Sequence, residues 1–431
     1  MPSSEMVASG HTLEVLDSGA RLITAPMAAR ASVSVALMFS VGSRYESREL
    51  AGISHFVEHM LFKGSDQYPG SKEIAEAIEG IGGELNAATD KEATMYWARV
   101  SGDRLKEAVS VLCDMVLHPL MQPEEVDKER EVIIEELRMY RDSPGDHVHT
   151  VFEEMMWPDH PLGVDIAGTE ENLPGVDGDR MREHLLTHYA AQNLVVVIAG
   201  NVDPQEALHV TAPYLDGWRR GERAAFPAAA PLGGDVGVQV VQRPTEQVHL
   251  VVGTRCIDYF HPDRYAIDMM NTVLGEGMSS RLFLEVREKR GLCYDVHSWA
   301  GKMADTGSAG VYIGTDPNRA DEALKAVMHE LHRIAEEPVG SDELEKARAY
   351  LKGRMVLRLE STGAVSTWLG GQELLTGRII EMEETLASLD RVTAEDVTRL
   401  ARETYAEQPM RLAAIGPLRN EDGLPGLINW S

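Results

Sequence analysis

YAAQNLVVVIAG at residues 189–200 and YAEQPMRLAAIG at residues 405–416 share an opening Tyr-Ala, a glutamine at the fourth place, an apolar run and a closing glycine. A short continuous apolar run reads as a buried strand, and its recurrence shows a unit used twice. Upstream of each copy, DRLKEAVSVLCDMV (103–116) parallels NRADEALKAVMHEL (318–331). Farther upstream, AGISHFVEHMLFKG (51–64) falls opposite RYAIDMMNTVLGEG (264–277). Between the halves, GWRRGERAAFPAAAPLGGD (217–235) is rich in Gly, Ala, Pro and Arg without periodicity and reads as a linker. The expected organisation is two homologous domains, 1–216 and 236–431, duplicated in tandem.

Each half mixes strands with helices. TLEVLDSGARLITAP (12–26) and ASVSVALMFSVGSRYE (31–46) alternate like strands, and ELNAATDKEATMYWARV (84–100) reads as two strands around a turn at Asp90 and Lys91. Helices are expected at 71–83, at 103–117 with Ser101 and Asp103 as candidate caps, and at about 123–141 behind Pro123. Residues 147–189 read as mostly helical, broken at WPDHPLG. The fold class is α+β, each domain a mixed, mostly antiparallel sheet packed with helices.

Composition narrows the function. The 431 residues are 43% hydrophobic and 26% charged, ordinary for a globular protein, and carry a formal charge of −28, which argues against binding nucleic acid. Such a surface favours basic ligands as readily as it serves solubility. Cys113, Cys256 and Cys293 lack the spacing of a disulfide framework or a thiolate metal site. The opening MPSSEMVASG has no leader pattern, and eighteen apolar residues never run together. A cytoplasmic protein that does not enter a membrane is expected.

Within 51–64, His55, Glu58 and His59 stand at i, i+3 and i+4 of one helix and share a face, while Phe56, Val57, Met60 and Leu61 fill the opposite side. Two imidazoles one turn apart can both reach a zinc ion, leaving the carboxylate between them free to act on a water there. The same three residues also describe an ordinary solvated face, so a third donor has to be found. In the second copy Asp268, Asn271 and Thr272 stand at these places, and the metal face is gone.

The helix PEEVDKEREVIIEELRMY (123–140) has seven acidic residues, and its pattern sorts them. Ile133, Leu137 and Tyr140 lie within about 40° of Val126 on a helical wheel, and the four define a buried stripe. Glu129 and Glu136, two turns apart, sit beside that stripe, where burial is costly unless the carboxylate is paired or metal-bound. Asp127, Glu131 and Glu135 fall on the far side. Two salt-bridged glutamates at a domain edge would also fit, but beside a His-x-x-Glu-His face a His₂Glu zinc site is the simpler account.

The motifs HFVEHMLFKG and Glu129-Arg130-x₅-Glu136 resemble those of the pitrilysin-type inverzincin zinc metallopeptidases, and the chain is most similar to short bacterial members related to mitochondrial processing peptidase. The resemblance extends through GGELNAATDKEATMYWARV, HPLGVDIAGTEENL and LGEGMSSRLFLEVREKRGLCY. It implies one zinc per chain held by His55, His59 and Glu136, Glu58 as general base and Glu129 as supporting carboxylate. It also implies that Arg287 and Tyr294 assist at the substrate carbonyl and that an extended peptide pairs with the strand Glu84, Leu85, Asn86, Ala87. Chains of this length in the family form half of a clamshell, so a homodimer is expected whose active site is shared between chains. Ala88 stands where the family often has an aromatic residue, and Glu276 where it commonly has glycine.

Gly275, Gly277, Ser279 and Ser280 read as a helix stop and a new cap, and no lysine follows in the spacing of a nucleotide-binding loop. The rival to a peptidase is a non-catalytic assembly subunit of the same fold. A hydrolase of small molecules fits less well with so long a duplicated chain.

Overall fold

Six strands, β1 (Thr12–Val15), β2 (Arg21–Pro26), β3 (Ser32–Phe39), β4 (Glu84–Thr89), β5 (Thr94–Ser101) and β6 (Leu194–Gly200), form a sheet in the order β1-β2-β6-β3-β5-β4. Five more, β7 (Gly237–Val241), β8 (Val248–Arg255), β9 (Cys293–Lys302), β10 (Gly307–Thr315) and β11 (Arg411–Ile415), form a second in the order β7-β11-β8-β10-β9. Apart from β1, the two orders are the same, and in each only one pair, β2 with β6 or β7 with β11, is parallel. This computed structural model describes residues 10–418 and 423–430, so the N-terminal stretch inspected for a leader lies almost wholly outside the described residues.

The repeated motif is the centre of both sheets. β6 and β11 are buried along their whole length, which is why they are almost wholly apolar, the exception being Arg411 at the start of β11, whose guanidinium donates to the Gly233 and Asp235 carbonyls. Their closing glycines are steric requirements. Gly200 has φ +138° and a Cβ there would come within 2.3 Å of the Ser32 carbonyl; Gly416 has φ +144° and faces the Gln247 carbonyl at 2.9 Å.

In the first half come α1 (Ile53–Leu61), α2 (Ser71–Glu79), α3 (Leu105–Leu117), α4 (Pro123–Asp142), α5 (Pro144–Met156), α6 (Gly178–His188) and α7 (Pro204–Leu215). The second half contributes α8 (Arg264–Gly275), α9 (Ala320–Glu336), α10 (Ser341–Arg358) and α11 (Thr362–Thr376). Ser101 and Asp103 do not cap α3: the Ser101 hydroxyl donates to Asp103 at 2.6 Å, and Asp103 itself lies in a 3₁₀ turn, Gly102–Arg104, that precedes the helix. The buried stripe of α4 ends at Leu137, and Tyr140 is exposed.

Two compact units result, and neither is continuous in sequence. The first comprises Met1–Leu137, Val164–Pro227 and Met355–Met382; the second Arg138–Gly163, Ala228–Arg354 and Glu383–Ser431. The change at Pro227 falls inside 217–235, but each half also lends a helix. α11 lies on β6 and β3 of the first unit, with Gly370 against Met38 and Val197. α5 lies on β11 and β8 of the second, where Val148, Val151 and Phe152 join Val251, Ala413 and Ile415 in one apolar cluster. Both sheets thereby have both faces covered at their centre.

The segment after α7 is fastened down. The Gly221 N–H donates to the Gln192 side chain at 2.7 Å, the Ala224 N–H to Asn193 at 3.0 Å, and Phe226 stacks under the buried Arg44 at 3.9 Å. The glutamine of the first repeat motif therefore anchors this strap. Among the described residues no helix is long and apolar enough to cross a membrane.

Candidate metal centre

α1 packs Phe56, Val57, Met60 and Leu61 into the core of the first unit and leaves His55, Glu58 and His59 on its partly exposed face. Its start is held by Glu46, whose two oxygens accept the Gly52 and Ser54 N–H groups, each at 2.7 Å. Complete burial pushes the Glu46 carboxyl up to about 7 against those two bonds. Gly52, with φ +95°, lies so close to the Ala167 carbonyl that a Cβ would approach it to 2.5 Å. The helix is thus seated before its functional residues begin.

The two imidazoles turn their Nε2 atoms toward each other at 3.2 Å. Glu136 Oε2, from α4, lies 3.7 Å from His59 Nε2 and 3.9 Å from His55 Nε2. Two ligands of a tetrahedral zinc bound at ~2.0–2.1 Å stand about 3.3 Å apart. The three donors thus fit one such ion, and they form a group with ligand atoms all within 4.8 Å of one another. Burial, reinforced by the neighbouring His59, pushes His55 down to about 4, so it is a neutral donor near pH 7.

Glu129 is buried as its place beside the stripe requires, and both its oxygens are engaged. Oε1 accepts from His59 Nδ1 at 2.9 Å, and Oε2 meets the Lys63 ammonium at 2.5 Å. Burial alone would raise the Glu129 carboxyl; the hydrogen bonds from His59 and Lys63 outweigh it and hold it below the usual range. Glu58 shows the opposite balance. Burial raises its carboxyl although the Thr89 hydroxyl donates to Oε2 at 2.5 Å.

Thr89 is the last residue of β4, and β4 is an edge strand paired only with β5. Glu84, Asn86 and Ala88 are exposed, while Leu85 and Ala87 are partly buried and packed against the core. Glu84 pairs with Arg99 at 2.6 Å, and Asn86 Oδ1 accepts the Ala87 N–H at 2.8 Å.

In the second unit, Arg287 lies over the rings of Phe283 at 4.7 Å and Tyr294 at 4.9 Å, so the expected Arg–Tyr pair does meet. Arg287 sits in a π-helical turn, Phe283–Lys289, and Tyr294 is 77% exposed at the start of β9. The positions of α8 that correspond in the repeat to the metal face of α1 are engaged within their own unit. Lys302 pairs with Asp268, and Asn271 and Thr272 donate to Glu276 at 3.2 and 3.3 Å. Ser280 bonds back to the Gly277 carbonyl at 2.8 Å.

Sequence reasoning singled out neither Thr89 nor Lys63. Lys63 follows His59 by one helical turn inside the quoted motif, which was an available signal. Thr89 had none beyond ending the strand.

Two family descriptions match consecutive parts of the chain: Insulinase (Peptidase family M16) over residues 21–170 and Peptidase M16 inactive domain over residues 175–351. The first contains the donor triad; the second contains α8. An uncharacterized zinc protease of Streptomyces coelicolor is 39% identical over 94% of this chain and 89% of its own length. One from Bacillus subtilis is 35% identical over 94% and 97%. Similar solved structures include a protease from Helicobacter pylori, with TM-score 0.89 and 21% identity over 95% of this chain and 99% of that one. A chain of Complex III2 from Candida albicans has TM-score 0.81 and 18% identity over 97% and 100%. With relatives this similar over almost its full length, and a donor triad in the half that matches the insulinase description, the chain belongs to peptidase family M16.

Proposed function

We propose that the protein is a zinc-dependent endopeptidase acting on extended peptides or precursor segments. The observation that carries this reading is the convergence of His55, His59 and Glu136 on one point beside the half-buried Glu58. His55, His59 and Glu136 would hold the ion. Bound zinc supplies Lewis-acid polarisation of the scissile carbonyl and acidifies a water.

Glu58 takes a proton from the attacking water and gives it to the leaving amine as the C–N bond breaks. A carboxyl raised by burial holds that proton more readily, and the Thr89 hydroxyl keeps it aimed. Thr89→Val, which removes the hydroxyl at nearly constant shape, should lower kcat about 10-fold with KM little changed, the scale of one hydrogen bond to a charged group. Thr89→Ser should stay near wild type; equal losses in both variants would show that the hydroxyl is not what matters.

A peptide would add to the free edge of β4 beside Glu84, Leu85, Asn86 and Ala87, since backbone pairing accepts many sequences. The charge of −28 favours basic ones. Arg287 and Tyr294 would donate to the substrate carbonyl oxygen, in trans within a homodimer. Three free cysteines accord with a cytoplasmic setting. The second reading, an assembly subunit without catalysis, draws on the fold shared with a chain of Complex III2. The complete donor set speaks against it.

Elemental analysis should find one zinc per chain, and a chelator should abolish cleavage of an unstructured basic peptide, with zinc restoring it. A chain that takes up no zinc, or cleavage indifferent to the chelator, would overturn the proposal.

A further inference from the structure

Two carboxylates on one face of α4 reach the same imidazole, that of His59, and one of them, Glu129, has both its oxygens engaged. Glu136 Oε2 is 3.7 Å from His59 Nε2, on the side where the donors converge. Glu129 meets the other nitrogen of the same ring, Nδ1, at 2.9 Å, and its second oxygen lies 2.5 Å from the Lys63 ammonium. With its side chain only 8% exposed, Glu129 has little water to replace either partner. Lys63 lies just past the end of α1, where a cation is also favoured by the helix carbonyls.

We propose that Lys63 is a positioning residue of the metal site: by neutralising Glu129 and holding it to His59 Nδ1, it leaves Glu136 as the ligand and presents His59 Nε2 to the ion. This rests on the zinc reading above and adds the residue that sorts the two carboxylates. Without the ammonium, Glu129 would be a buried carboxylate with one unpartnered oxygen. It would turn toward what water it can reach and away from Nδ1, and the imidazole loses the acceptor that fixes its orientation.

The test is zinc affinity, measured on the full chain by competition with a chromophoric chelator at fixed pH. Lys63→Met should bind zinc about 10- to 100-fold more weakly, the range for losing an outer partner of a ligating histidine. Lys63→Arg, which keeps the charge, should stay within a few-fold of wild type. Because Lys63 acts through Glu129, the double variant Lys63→Met/Glu129→Gln should bind no more weakly than Glu129→Gln alone; independent structural damage would add instead. Should Lys63→Met not fold, as judged by the metal-free thermal transition, Lys63→Gln takes its place with the same expected order. Wild-type affinity in the charge-removing variant, or additive losses, overturns the role of Lys63 while leaving the zinc reading intact. A wild-type chain that binds no zinc overturns both. Zinc binding with the expected order but no peptide cleavage overturns the peptidase reading alone.

Discussion

Glu58→Gln is expected to keep one zinc per chain and to lose peptide cleavage by about 10²- to 10⁴-fold, the range assigned to a positioned general acid–base group. The separation arises because Glu58 is not one of the three donors that converge between α1 and α4. An amide has the shape of the carboxyl and can still accept from the Thr89 hydroxyl, so the local packing survives. It cannot hold the proton of a water, and that is the function removed. His55→Ala provides the contrast: it should lose zinc and activity together, because it takes away one of the two imidazoles facing each other at 3.2 Å. Zinc content by elemental analysis and turnover of a basic peptide, measured on the same samples, separate the two outcomes. A Glu58→Gln chain that cleaves at the wild-type rate would place the base elsewhere.

What made this site legible in the sequence was that its residues violate local patterns. His55, Glu58 and His59 interrupt an apolar helix on one arc, and Glu129 and Glu136 occupy places beside a buried stripe. The repeated motif with its closing glycines was legible for a steric reason, since Gly200 and Gly416 both sit at positive φ against a neighbouring carbonyl. Thr89 and Lys63 violate nothing. Threonine is at home at the end of a strand and lysine just after a helix, so their roles exist only once α4 and β4 are brought against α1. The exchange of α5 and α11 between the units was hidden for a related reason. An apolar helix face shows that it is buried but not which sheet buries it.

Chains carrying Glu58→Gln, mixed with chains carrying Arg287→Ala and Tyr294→Phe, should recover activity that neither parent has. Each parent loses a different part of the proposed chemistry: the first its proton carrier, the second two donors to the developing oxyanion, each such donor being worth about 10²–10³ in rate. Within the second unit, Arg287 is held against Tyr294 at 4.9 Å, and Tyr294 is 77% exposed, so the pair forms a local device at the surface of its own unit. If that device serves the metal centre of a partner chain, a mixed dimer assembles one intact site, from the second unit of the Glu58→Gln chain and the first unit of the other. Random pairing of equal amounts makes about half the dimers mixed, each with one working site of two, so about a quarter of wild-type activity should return. The same mixture predicts no return if the pair acts within its own chain, because every chain then carries a defect of its own. Mixed dimers confirmed by two affinity tags and still inactive would therefore sink the shared site, while leaving the assignment of Glu58 to be judged on its own variant.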